Sequence, residues 1–323
     1  MYMPFTQNQE YLKWHQAVGT RTFRFESDNI VGQAVVVNTN AGKMMYFPYG
    51  PIIQAGVYDE ELEKFRKEIE KFTRKEGIFL FRMDQSGLAE AIGGGGVVQK
   101  MKSIFESSFS FFAPPLRSFA KLGSIQPRLE WWLDIEPDEE EIFKNFHKDH
   151  RYSIRRAEKE EVIVELSNNN LERYTDTFYD LLKTTAIRDG FSVYDKKYYE
   201  AALSSGFVMF LVFTVVNGQY KSFAYVVIEG TIANLVFAGS KNEHRELGYN
   251  HLMQWEAIKY AKLLGAKTYN FGGITDGIYG SPSLFGVTKF KQKFGGYKKF
   301  HGNPLDYPIK KLNYFFYIFK KFL

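Results

Sequence analysis

The sequence predicts an α+β fold in which one unit, an antiparallel meander followed by a helix and a further strand, occurs twice. Three observations carry this expectation. Two series of short apolar and aromatic segments are each followed by a segment of helical period and then by another strand-like run. The chain has 323 residues with 45% apolar and 24% charged side chains, enough for two cores of about 150 residues each. It also lacks the composition of a disordered, collagenous or coiled-coil protein.

In the first copy, QAVVVNT (33–39) and KMMYFPYG (43–50) read as two strands. Leu62, Phe65, Ile69 and Phe72 then recur at helical spacing, so residues 59–76 are expected to form an amphipathic helix with Asp59 as N-cap and Gly77 as its stop. The run IFLFRMD (78–84) follows as a buried strand. Next come the glycine run at 93–98 and the Pro114-Pro115 pair, both expected as loop, and then WWLDIEPDEEEIFKNF, where Pro137 and Asp138 open a helix carrying Ile142 and Phe146. The domain boundary is placed at 125–135.

The second copy opens with an inserted helix, LERYTDTFYDLLKTTAIRDG, with Tyr174, Phe178, Leu181 and Leu182 inward. Its meander is FVMFLVFTVV, KSFAYVVIEG and TIANLVFAGS, with turns at Asn217-Gly218 and Glu229-Gly230. A helix around Leu252, Trp255, Ile258 and Ala261 and the strand AKTYNF complete it. No charged heptad run supports a projecting coiled-coil arm. The expected domains are 1–130 and 131–299, with the tail 300–323 packing back on the first.

Several chemistries are excluded or disfavoured. The chain has no cysteine, so it has no disulfide, thiolate nucleophile or cysteine-held metal. The glycine run lacks the Gly-Lys-Ser/Thr of a phosphate loop, and neither G-x-S-x-G nor G-x-G-x-x-G occurs. His147 and His150 make too small a set for a metal site, and no metal or cofactor is expected. The N-terminus lacks the charged and apolar regions of a secretory signal, and no run reaches the roughly 18 apolar residues of a membrane span, so the expected location is the cytoplasm. Net charge is +5, but residues 287–323 hold nine Lys against one Asp, which concentrates positive charge at the C-terminal end. Aromatic content is 17%, with 31 Phe and 21 Tyr, more flat surface than two cores need and suited to lining a groove.

Four basic or glycine-bearing segments remain: RYSIRRAEKEEV (151–162), TTAIRDGFSVY (184–194), YNFGGITDG (269–277) and VTKFKQKFGGYKKFHG (287–302). Taken singly, Arg151, Arg155 and Arg156 read as a solvated helix face. Lys289, Lys291 and Lys293 read as a basic face with Phe290 and Phe294 packed inward. Together and in this order, with YFPYGPII, IQPR and WWLDI before them, the segments resemble the Fem family of peptidoglycan-bridge aminoacyltransferases along nearly the whole chain. The chain looks like the shorter family type without a helical arm, and it has Phe237 before Ala238-Gly239 where some members carry tyrosine.

The resemblance implies two tandem acetyltransferase-like (GNAT-type) domains, each a mostly antiparallel twisted sheet flanked by helices. It implies an aminoacyl-tRNA donor and, as acceptor, the side-chain amine of residue three of a peptidoglycan stem peptide on a nucleotide or lipid carrier. It places the functional lysine at Lys291, with Lys293 as second choice, and the arginine for precursor phosphate at Arg188. Phe290, Asp189, Gly272 and Gly273 complete the expected substrate-binding set, and Asp189 and Asp276 are candidate proton acceptors. A monomer is expected. Two other readings stay open: an acyltransferase of the same fold with another donor or acceptor, and a non-catalytic basic module that docks on RNA or membrane. Residues 310–323, KKLNYFFYIFKKFL, are expected either to pack back as a last helix or strand or to lie at an anionic membrane surface, and the two are compatible.

Overall fold

The computed structural model describes residues 3–54, 56–84, 125–278 and 280–322, so the glycine run and the Pro114-Pro115 pair lie outside the described residues. The chain divides into two compact units, Met1–Arg128 with Phe300–Leu323, and Leu129–Lys299.

The first unit contains α1 (Gln9–Ala17), β1 (Thr22–Glu26), β2 (Ile30–Thr39), β3 (Gly42–Phe47), β4 (Ile52–Ile53), α2 (Asp59–Glu76) and β5 (Leu80–Met83), and from the chain's end β13 (Leu305–Pro308) and α9 (Lys311–Phe322). Its sheet runs β1-β2-β3-β5-β13, with β4 beside β2. Strands β1 to β3 are antiparallel neighbours, whereas β3 and β5 are parallel, which requires a crossover long enough to hold a helix. Helix α2 is that crossover. It buries Leu62, Phe65 and Ile69, and Phe65 meets Phe25 at a centroid separation of 5.0 Å. Gly77 ends it at φ +69°. The N-cap is Tyr58 rather than the expected Asp59: the Glu61 carboxylate, at the third helical position, accepts the Tyr58 backbone N–H, and a cap at Asp59 would put Leu62 in that place. Strand β1, with Phe23 and Phe25 turned to α2, is an addition to the expected elements.

The second unit contains β6 (Leu129–Asp134), α3 (Glu139–Asn145), α4 (Lys148–Lys159), β7 (Ile163–Ser167), α5 (Thr175–Asp189), α6 (Lys196–Leu203), β8 (Val208–Val216), β9 (Gln219–Glu229), β10 (Ile232–Ser240), α7 (Tyr249–Leu263), β11 (Thr268–Gly273), α8 (Phe285–Gln292) and β12 (Tyr297–Phe300). Its sheet order is β12-β6-β11-β10-β9-β8-β7. Asp138 caps α3 as expected, accepting from Glu141 N–H at 2.8 Å. Phe210, Val212, Ala224 and Val226 form a core with Ile154 of α4 and Leu252 and Ile258 of α7. On α5, Phe178 packs on Phe223 and Phe237 at 4.4 and 5.9 Å. Arg151 braces the α3–α4 corner by donating to the carbonyls of Lys144 and Phe146, so it does more than the solvated-face reading allows.

Both units share one wiring. Antiparallel β1-β2-β3 then α2 then parallel β5 matches antiparallel β8-β9-β10 then α7 then parallel β11. Each parallel strand takes one more antiparallel neighbour from elsewhere in the chain, β13 on β5 and β6 on β11. The fold is therefore α+β with the same unit twice.

Candidate functional site

The parallel pair β10 and β11 is bonded at only three positions, Ile232↔Thr268 through Asn234↔Asn270. At that level both strands change register against their other neighbours, β10 between Leu235 and Phe237 and β11 between Asn270 and Gly273. A cavity of about 750 Å³ lies there, within the usual size range of small-molecule sites. Leu235, Ala238, Gly239 and Ser240 of β10 form one wall and Phe271 of β11 another, while α5, the start of α7 and α8 close the rest.

Two glycines shape it. A Cβ on Gly239 would stand 2.5 Å from the Phe223 ring and 3.1 Å from the Leu181 carbonyl, so only glycine lets α5 cross β10 this closely. Gly248 precedes α7 at φ +75°, where a Cβ would lie 2.2 Å from the Ser153 carbonyl of α4. Gly248→Ala is expected to cost at least about 2 kcal/mol, or roughly 4–8 °C in Tm. A melting curve within 2 °C of wild type would contradict so tight a contact.

Lys291 comes from the last turn of α8 and is 9% exposed. Its Nζ donates to the Gly273 carbonyl at 2.6 Å. Burial lowers its pKa from 10.5 to about 8, and the Glu130 carboxylate pulls the other way. Glu130 is itself buried on β6, accepting from Trp132 Nε1 and Asn270 Nδ2, each at 3.0 Å. Asn270 Nδ2 also donates to Asn234 Oδ1 at 3.2 Å, and Asn270 Oδ1 takes the Gly272 N–H at 2.7 Å. A polar ladder from β10 through β11 to β6 thus accompanies one desolvated amine. Such an amine exchanges its proton near neutral pH and carries concentrated positive charge when protonated.

The other expected residues divide. Phe290, Arg188 and Asp189 line the cavity with Lys291. The Arg188 fork is held by Asp189 at 2.7 and 2.8 Å and donates to the Ser240 carbonyl at 2.6 Å. Gly272 and Gly273 form the β11 bulge beside Lys291 rather than the cavity wall, and Gly273 supplies the carbonyl that holds it. Lys293 lines a separate shallow depression with Asn145, His147 and Lys289, and bonds Asp149 at 2.7 Å. The basic face expected over 289–293 is therefore split, since Lys291 is buried while Lys289 is exposed. Asp276 makes a turn with the Ile278 N–H and pairs with Lys298 at 3.7 Å, away from the cavity lining. His147 is exposed, while His150 is buried with Nε2 against the Phe290 carbonyl at 2.9 Å, so the two do not share a site.

Polar cavity residues that the sequence does not single out include Arg245, Asn250 and His251. His251 stacks edge-on against His150 at 4.5 Å and lies 5.1 Å from the Phe290 ring. Burial lowers His251 to about 3 and His150 to about 4, so both rings are neutral at pH 7. Arg245 opens the R-E-L-G turn that precedes α7 and Asn250 and His251 follow it, with no motif in the sequence to mark any of the three.

The sequence profile described as the FemAB family matches residues 3–216 and 222–321. A lipid II:glycine glycyltransferase of Staphylococcus haemolyticus (strain JCSC1435) is 23% identical over 317 residues, covering 77% of this chain and 73% of that one. One from Staphylococcus epidermidis (strain ATCC 12228 / FDA PCI 1200) is 25% identical over 251 residues, covering 58% of this chain and 60% of its own length, so the chain spans about three fifths of that relative. Among solved structures, the crystal structure of FemX has a TM-score of 0.74 at 19% identity, covering 98% of this chain and 94% of that one. A tandem GNAT protein from the clavulanic acid biosynthesis pathway has a TM-score of 0.50 at 10% identity, covering 89% and 82%. At these identities the structures speak for the fold, which is the tandem acetyltransferase-like arrangement expected from the sequence.

Proposed function

The chain belongs to the FemAB family, and from that premise we propose that it transfers an aminoacyl group from aminoacyl-tRNA to a peptidoglycan precursor, building an interpeptide bridge. The relatives named lipid II:glycine glycyltransferase support the acceptor class. The observation that carries the reading is Lys291, a buried amine with a pKa near 8 in a cavity whose walls hold no cysteine nucleophile.

An aminoacyl ester is already activated, so the reaction needs a held amine and a stabilised oxyanion rather than a protein nucleophile. The acceptor amine attacks the ester carbonyl, forming the C–N bond and moving the carbonyl electron pair onto oxygen. Lys291, protonated, faces that charge. Collapse breaks the C–O bond to the ribose, whose oxygen takes a proton from Lys291, and the attacking nitrogen's proton restores the lysine. Phe290 and Phe271 supply apolar wall, and Arg188 with Arg245 offers cationic groups for the phosphates of a substrate. An arriving phosphate competes with Asp189 for the Arg188 fork. Lys289 and Lys293 belong to the outer positive field that meets the donor RNA.

The finer assignments belong to the same proposal: domains 1–130 and 131–299, a monomer, cytoplasmic placement and peripheral membrane contact. No helix among the described residues is long and apolar enough to cross a membrane. The test is transfer of radiolabel from aminoacyl-tRNA to a nucleotide-linked and a lipid-linked precursor, with acyl-CoA as the competing donor. Label is expected on at least one precursor. Transfer from acyl-CoA alone would replace the donor, and no transfer from either would remove the enzyme reading.

A further inference from the structure

Among the described residues, helix α9 is held by one side only. Tyr314 and Tyr317 are buried in the first unit, where the Tyr314 hydroxyl donates to Asp306 at 3.0 Å and the Arg82 guanidinium lies 5.6 Å from the Tyr317 ring centre. On the same helix Leu312, Phe315, Phe316 and Phe319 are 74%, 62%, 56% and 52% exposed. At about 100° per residue these four fall within a stripe of about 100°, opposite the buried tyrosines. Lys311 and Lys320 fall about 40° beyond either edge of that stripe, and both are exposed. Phe315 touches Phe316 and Phe319 at 6.1 and 6.0 Å, so the stripe is one continuous aromatic surface.

We propose that this face of α9 is a docking surface for an anionic lipid bilayer, with the helix lying in the plane of the membrane interface. Charge argues for lipid over a second copy of the chain. Residues 310–323 contain four lysines and no acidic residue, so two such faces brought together would repel, whereas anionic headgroups would meet lysines on both flanks. Phe and Leu side chains of this exposure have the depth to enter the headgroup region while the buried tyrosines keep the helix on the protein. The helix is 12 residues long, too short to span and suited to lying flat. The biological use of such docking, access to a lipid-linked acceptor, rests on the proposed transfer reaction, but the surface itself does not.

Flotation of the full chain with phosphatidylglycerol-containing vesicles tests it, with phosphatidylcholine vesicles as the neutral control. Wild type is expected to float only with the anionic vesicles and to be released by salt. Phe315→Asn/Phe319→Asn is expected to weaken binding at least tenfold, and Lys311→Gln/Lys320→Gln about fivefold per charge. Leu263→Asn, which changes an exposed residue of α7, should leave flotation unchanged. Transfer to a soluble nucleotide-linked acceptor, measured on the same preparations, reads the enzyme separately. Equal flotation of wild type and the double phenylalanine variant overturns the proposal. So does a concentration-dependent dimer that the variant abolishes without vesicles, because the face would then belong to a second copy.

Discussion

Lys291→Met is expected to lower the transfer rate about 10² to 10³-fold while leaving the fold intact, the usual loss when a group facing a developing oxyanion is removed. Methionine keeps the length and apolar stem of lysine. The buried amine also opposes folding: a pKa of about 8 against 10.5 corresponds to roughly 3 kcal/mol. The sign follows from the proton count. Between pH 8 and 10.5 the unfolded chain binds the extra proton, so the cost is fully present below pH 8 and is relieved as pH rises through that window. At pH 7 the methionine variant is therefore expected to melt no lower than wild type, with Glu130 still bonded by Trp132 and Asn270. The kinetic signature is a ratio of wild-type to variant kcat/KM that falls above about pH 8, because the acceptor amine, with an ordinary pKa of about 10.4, titrates alike in both proteins. Lys267→Met, at an exposed pair with Glu136, is the control and should change neither. A normal rate in Lys291→Met, or a ratio of the two that stays constant from about pH 7 to 9.5, would remove Lys291 from the chemistry.

That residue also shows how far the sequence can be read. Lys289, Lys291 and Lys293 look like one basic face because they alternate with other residues. Steps of two on a helix turn by about 200°, so Lys289 and Lys293 share a side and Lys291 points the opposite way. A motif resemblance singled out Lys291 from the three, while propensity alone grouped them. The helices α2 and α7 were legible because their apolar residues keep helical period, and the second meander because Asn217-Gly218 and Glu229-Gly230 punctuate it, whereas β1 of the first carries no such mark. Strand β13 was not separable from the tail, since its pairing partner β5 lies more than 200 residues away. The ladder of Asn234, Asn270 and Glu130 was hidden for the same reason. Each is a single polar residue in an ordinary strand, and only the register of β10, β11 and β6 brings them together. His251 and Arg245 carry no pattern of their own, and the cavity alone identifies them.

Asp306→Ala is expected to produce the largest loss of stability of any single change proposed for the first unit. Asp306 on β13 sits across from Arg82 on β5 and accepts from both Nε and Nη2, at 2.6 and 2.7 Å. The two side chains are 2% and 1% exposed. Burial alone would discourage the guanidinium charge, and the Asp306 carboxylate more than restores it, so the Arg82 pKa ends above its ordinary value. Removing the carboxylate leaves a buried cation without its bidentate partner and takes the acceptor from the Tyr314 hydroxyl as well. Breaking such a pair typically costs about 3–5 kcal/mol, on the order of 10 °C in Tm. Because the pair and Tyr314 add to the β13–β5 ladder and the Tyr317 contacts in fastening β13 and α9, Asp306→Ala should in addition expose the chain beyond Phe300 to proteolysis and reduce vesicle flotation. The double change Arg82→Met/Asp306→Leu separates loss of the pair from loss of packing: with neither member of the pair left to bury, it should recover most of the melting temperature. A loss under about 1 kcal/mol in Asp306→Ala, or a double variant no more stable than the single one, would mean that apolar contacts of β13 and α9, rather than this ion pair, fasten the C-terminal segment to the first unit.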